Sequence, residues 1–263
     1  MPTDILEPGL TALTEGQWEL GGFLFGEGST ICAAEPGDEG LDDVSEVVAE
    51  DQASGGDGSV PSFPRLAPRD ITLHIGFTGT MSALADLLDA VREVCSPLPN
   101  RQGTRLLRWR REGEVAKRIE VQPAVGKPLA VPSGSARLVH GVAKDIVIRL
   151  TAPDPTILSD VVHEESFSSG ATITCVNAGT FTAWHPTAWN ATFPAAMTIE
   201  NVDYSEAVSF SAAATVGRDR SLSAGTCSRP GGLLIPRWPL MRPGDNDIKA
   251  TGGSMTFQWR DTW

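Results

Sequence analysis

Read from its last residues, the chain closes on a strict alternation. In "GGSMTFQWRDTW", Met255, Phe257 and Trp259 are interleaved with Thr256, Gln258 and Arg260. That two-residue period belongs to a strand with one buried face. Chain ends are usually polar and frayed, so the pattern predicts an end held by a sheet, with Trp263 beyond the strand. A helical period stands out at one place. Leu84, Leu87, Leu88, Val91 and Val94 form a single apolar stripe, Thr80 or Ser82 can cap it, and Pro97 and Pro99 end it. This predicts a core-facing helix over residues 82–95.

Everywhere else the pattern is that of strands and turns. Residues 10–32 carry short apolar runs with glycine punctuation, which predicts a hairpin. Residues 33–60 form an acidic, glycine-rich excursion in which Leu41, Val44, Val47 and Val48 have an ambiguous helical spacing. "PRDITLHIGFTG" puts Ile71, Leu73 and Ile75 on one strand face. "TRLLRWRR" and "AKRIEVQPA" bracket "EGEV" as a hairpin, and "ARLVHGVAKDIVIRLTAPDP" supplies one or two further strands. After Pro155 the chain is all short strands separated by Gly, Pro and Asn, the spacing of a β-sandwich. A boundary is expected at residues 153–160, between a mixed half and an all-β half.

Charge adds an asymmetry. The net charge is −12, and residues 1–57 hold fourteen Asp and Glu but no Lys or Arg. Seven Lys and Arg against two Glu fall between Arg101 and Arg118. The acidic segment disfavours nucleic acid, and the basic one carries a single aromatic, Trp109, and no recognition motif. Contact between the basic stretch (Arg108, Arg110, Arg111) and the acidic stretch (Asp42, Asp43, Glu46) of another copy fits better. No run reaches the roughly 20 apolar residues of a membrane span, and the acidic start does not read as a signal peptide. No membrane insertion is expected.

Candidate chemistry is sparse. Cys32, Cys95, Cys175 and Cys227 are widely spaced, which predicts buried free thiols. His74, His140, His163 and His185 have no metal-ligand spacing, and "HEESF" at His163 lacks the second histidine of a zincin. "GEGS" at Gly26–Ser29 is no phosphate cradle, and the "NAT" at Asn190 is a sequon that chance supplies freely. A glycosidase needs two facing carboxylates. Glu164, Glu165, Glu200, Asp203, Glu206, Asp219, Asp245 and Asp247 are available, but nothing in the sequence sets two across a groove. No catalytic residue, cofactor or metal is assigned. Trp184 and Trp189 can stack on a sugar or fill the sandwich core.

The order of segments resembles the distal tail proteins (Dit) of long-tailed, non-contractile bacteriophages. The C-terminal run "WPLMRPGDNDI" (Trp238 to Ile248), then "FQWRDTW", is similar to that family's P-G-x-N turn before a last, tryptophan-bearing strand. "VNAGTFTAWHPTAW…MTIENV", "RLTAPDPTIL", "RDITLHIGFTG", "GEGS" and the acidic excursion match further segments in order.

The resemblance implies a mainly β fold. Residues 1–158 would be a ring-forming, β-sandwich-like domain with one packed α-helix and an extended arm, and residues 159–263 a galectin-like β-sandwich. It also implies a non-enzymatic virion protein, assembled in the host cytoplasm. Six copies would form a hub joining the tail tube protein to the tail-associated tip or baseplate protein. A carbohydrate-binding sandwich on a small adaptor domain is the alternative, with a β-sandwich hydrolase third. Trp184, Trp189 and Trp263 are the candidate contacts for sugar or partner.

Overall fold

The structure is a computed structural model. It describes residues 3–7, 9–29, 31–43, 46–47, 50–52, 59–61, 65–78, 80–96, 104–131, 142–182, 189–216, 227–228 and 239–263. The chain is mainly β and divides into two compact units, Leu13–Pro155 and Thr156–Trp263, the latter joined by Met1–Ala12. The break falls at the "APDP" segment, where two prolines cannot donate to a ladder. The first twelve residues differ from the sequence reading, which placed them with the N-terminal half. Thr3–Ile5 pairs antiparallel with Val162–Phe167, a long-range match that three residues cannot announce in sequence.

In the Leu13–Pro155 unit an antiparallel sheet runs through Phe23–Gly26, Gln17–Leu20, Arg105–Arg110, Lys117–Pro123, Val142–Ala152, Arg69–Thr78 and Ile31–Glu39, in that spatial order. Its two outermost strands are joined by residues 27–30 alone. So short a link reaches at most about 18 Å, whereas seven flat strands would set their edges about 29 Å apart. The sheet must therefore curl until its edges approach, which is how one sheet comes to enclose a core.

Gly21 and Gly22, at φ 56° and 92°, make the tight turn of the first hairpin, a conformation that non-glycine residues resist. Across that hairpin and the next strand, Phe25, Trp18 and Trp109 stand in one register row. Their rings stack at 6.1 and 5.9 Å. Ile71, Leu73, Ile75 and Phe77 bury the expected face of the Arg69–Thr78 strand. The helix spans Met81–Cys95, and Leu87, Val91 and Cys95 are buried one turn apart. Leu88 and Val94 flank them half-buried, while the Leu84 side chain lies outside the described residues.

The acidic excursion carries no described helix. Glu46–Val47 pairs with Arg65–Leu66, and Glu50–Gln52 pairs with Ser59–Pro61. These are two separate two-stranded ladders, and Val44 and Val48 lie outside the described residues. The pairing overrides the helical spacing around Val47, where β-branched residues favour extended backbone.

The other unit is a sandwich of two five-stranded antiparallel sheets. One runs Thr3–Ile5, Val162–Phe167, Met255–Trp259, Trp189–Phe193, Ala214–Val216. The second runs Thr172–Asn177, Gly244–Thr251, Met197–Asn201, Glu206–Phe210, Cys227–Ser228. Phe167, Phe193, Ile199, Val208, Ile248 and Phe257 meet in the core between them. The terminal strand is the middle strand of its sheet, and Met255, Phe257 and Trp259 are each at most 2% exposed.

Candidate functional site

The P-G-x-N turn is organised by its asparagine. Gly244 sits at φ 87°, where a side chain would be strained. Asn246 is fully buried. It donates to the carbonyls of Arg242 at 2.8 Å and Gly244 at 2.9 Å, and accepts from the Arg242 backbone N–H at 2.9 Å. Asn201, also fully buried, donates to the Asn246 side-chain oxygen at 3.2 Å and to the Leu240 carbonyl at 2.9 Å. Arg242 grips the Glu206 carboxylate with two nitrogens, at 2.7 and 3.1 Å, and its guanidinium lies 3.6 Å from the centre of the Tyr204 ring. The turn is thus a polar network with its buried donors met, which fixes the entry to the last two strands.

A second network fastens the chain end. Asn177 donates to the Thr262 hydroxyl and accepts from its backbone N–H, and the Trp259 indole donates to the Val176 carbonyl at 2.9 Å. Trp263 and Ile157 exchange both backbone hydrogen bonds, and Trp263 is half-buried. Arg260, 6% exposed, donates to the carbonyls of Ser159 and Asp160 and to Glu7 at 2.8 Å. His163 stands between Asp4, at 2.7 Å, and Asp261, at 3.3 Å.

The acidic and basic stretches of the other unit do meet, but within one chain. Arg108 is fully buried and pairs with its cross-strand neighbour Glu19 at 2.7 Å. Arg111 spans Asp38 at 2.8 Å and Asp42 at 3.0 Å. Burial pushes the Asp38 carboxyl above its ordinary value despite Arg111, and the carboxylates of Asp42 and Glu114 add to the rise. Arg110 lies 3.6 Å from Glu15 and donates to the Leu13 carbonyl. Asp43 is exposed, and the Glu46 side chain lies outside the described residues.

No protein-family model and no curated protein matches the sequence. Solved structures do. The crystal structure of the SPP1 Dit protein, described as a paradigm of the hub adsorption apparatus in phages infecting Gram-positive hosts, aligns with a TM-score of 0.57 at 14% identity. The alignment covers 94% of this chain and 98% of that one. The chain has the SPP1 Dit fold. The baseplate of phage P2 in its activated conformation with calcium is a looser likeness, with a TM-score of 0.47 at 8% identity over 93% of this chain and 97% of that one.

Within this Dit fold four of the carboxylates considered for catalysis have structural partners. Glu164 accepts from Gln258 at 2.6 Å, Glu206 holds Arg242, Asp203 accepts from the Asp247 backbone N–H, and Asp247 accepts from Thr174. Among the described residues no three His, Cys, Asp or Glu side chains are arranged to hold a metal ion. A cleft of about 550 Å³ beside Phe167, Phe193 and Met255 is otherwise lined by Ser, Thr and Pro. Cys95 and Cys175 are free and buried. Burial pushes the Cys95 thiol up to about 11 and raises Cys175 further.

Trp184, His140, His185 and Asp219 lie outside the described residues, as do the side chains of Trp189, Cys32 and Cys227. Reading the sequence for chemistry missed Asn177, Asn201, Asn246 and His163 as organising residues. The N-x-G and P-G-x-N spacings were the visible signal for the first and third. Nothing local marks Asn201 or His163, whose partners are distant in sequence.

Proposed function

We propose that this chain is a structural protein of a phage tail: the hub at the distal end of the tail tube, joining the tube to the tip or baseplate proteins. The observation that supports this is likeness over nearly the whole length of both chains, 94% and 98%, to a protein described as a hub of an adsorption apparatus. One shared domain would be weak support, because folds are reused; agreement through both units restricts the choice. The proposed assembly is a ring of six, with the Leu13–Pro155 unit making the ring and the sandwich serving as its galectin-like appendage. In it, exposed Asp42 and Asp43 of one copy and the half-exposed Arg110 of the next are the proposed ion pairs between copies.

Native mass spectrometry and negative-stain images of the purified protein test the reading. A closed ring, and antibody labelling of virions at the tail tip, are the expected results. A monomer at high concentration that is also absent from virions would overturn it. Ring yield that falls with added salt is expected from the proposed ion pairs.

A further inference from the structure

The segment Thr3–Glu7 is fastened to the sandwich by charge. Thr3–Ile5 is an edge strand of three residues against Val162–Phe167. So short a strand has little ladder strength of its own. Two side-chain clasps reinforce it: Asp4 on His163 and Glu7 on Arg260. Arginine stays charged at any physiological pH. Histidine is the side chain whose charge changes near neutrality.

We propose that His163 is a protonation-dependent clasp: while charged it holds the N-terminal strap on the edge of the sandwich, and on losing its proton it releases the strap. The geometry is that of an imidazolium, not of a neutral ring. Both ring nitrogens face carboxylate oxygens, Nδ1 toward Asp4 at 2.7 Å and Nε2 toward Asp261 at 3.3 Å. A neutral ring can donate from one nitrogen only, leaving the other lone pair against a carboxylate.

The surroundings agree from every side. From the strap comes Asp4, and from the C-terminal segment Asp261, which also accepts from the Ala178 backbone N–H. The facing strand offers the uncharged Trp259 ring at 5.4 Å. On its own strand, Glu165 shares the face by period, and Glu164 is turned to Gln258. Arg260, one residue beyond Trp259, is held by Glu7. The hydrogen bond to Asp261 raises the His163 pKa above its ordinary value; burial opposes this, and Asp4 adds to the rise. A histidine whose pKa is higher with the strap docked than with it released contributes its full attachment below the released-state pKa. It loses that attachment as pH climbs through the docked-state one. Here only the Asp4 part of the rise counts, since Asp261 remains. The strap is therefore fastened in acid and loosens toward alkaline pH. Its release bares the Val162–Phe167 edge, whose backbone groups can then pair with another strand.

Hydrogen exchange of residues 1–12, corrected for the intrinsic effect of pH and run from about pH 5 to 9 beside an NMR titration of His163, tests this. Protection of the strap should fall through the His163 transition. The fall should be roughly tenfold for each unit by which the measured His163 pKa exceeds the value it has in Asp4→Asn, because Asp261 stays beside the ring when the strap leaves. Protection of Met255–Trp259 should stay level. His163→Gln should remove the step, and Asp4→Asn, an exposed change that spares the fold, should shrink it. A strap whose protection ignores pH, or a step of wild-type size in either variant, would overturn the proposal.

Discussion

Asn177 and Thr262 hold each other twice: the Asn177 amide donates to the Thr262 hydroxyl at 2.9 Å, and its oxygen accepts from the Thr262 backbone N–H at 3.0 Å. Both residues are buried, and Gly179 packs so closely that a Cβ there would meet the Thr262 carbonyl oxygen at 1.8 Å. Asn177→Leu should therefore cost about 2–5 kcal/mol, since two buried groups of Thr262 lose a partner. Gly179→Ala should do comparable damage by displacing the chain end. Urea unfolding followed by tryptophan fluorescence reads both, and a loss under about 0.5 kcal/mol would place the network outside the stable core.

Deleting Met255–Trp263 should unfold the sandwich. The strand lies in the middle of its sheet, so its loss strips a neighbour from both sides. Burial of Met255, Phe257 and Trp259 alone contributes about 1.5–3 kcal/mol each, comparable in sum with a domain's whole margin of about 5–15 kcal/mol. Limited proteolysis should show residues 156–254 digested in the truncated protein and resistant in the full chain.

Arg108→Glu should destabilise the Leu13–Pro155 unit before it affects any assembly. The guanidinium is fully buried against Glu19, which is itself only 16% exposed. Removing one partner of such a pair costs about 3–5 kcal/mol, and reversal adds repulsion. Arg108→Met should cost less than Arg108→Glu. Equal, small effects in denaturant melts would show that the pair is solvated.

Native Cys95 and Cys175 should resist alkylation. With Cys95 at about 11, its thiolate at pH 8 is about one part in a thousand. Peptide-resolved mass spectrometry should find both modified in urea and neither modified in buffer within the same interval. Rapid labelling of the native protein would mean that these sites open often.

The sequence by itself determined the local pieces. Alternation placed the Arg69–Thr78 and Met255–Trp259 strands with their buried faces, and one helical stripe placed Met81–Cys95. Glycine pairs and proline breaks set the first hairpin and the division near Pro155. These signals are local, because side-chain period and φ preference act within a few residues.

Tertiary structure decided what depends on partners far along the chain. Only folding brings Asp4 to His163 and Glu7 to Arg260, and so carries the first twelve residues into the C-terminal unit. Only folding turns Arg108 inward onto Glu19 and sets Arg111 between Asp38 and Asp42, where the sequence showed two opposed surface patches. The physical reason is that a charge pair has no periodicity. Its partner is fixed by sheet order and register, which come from the summed burial of the whole core rather than from any stretch of residues around it.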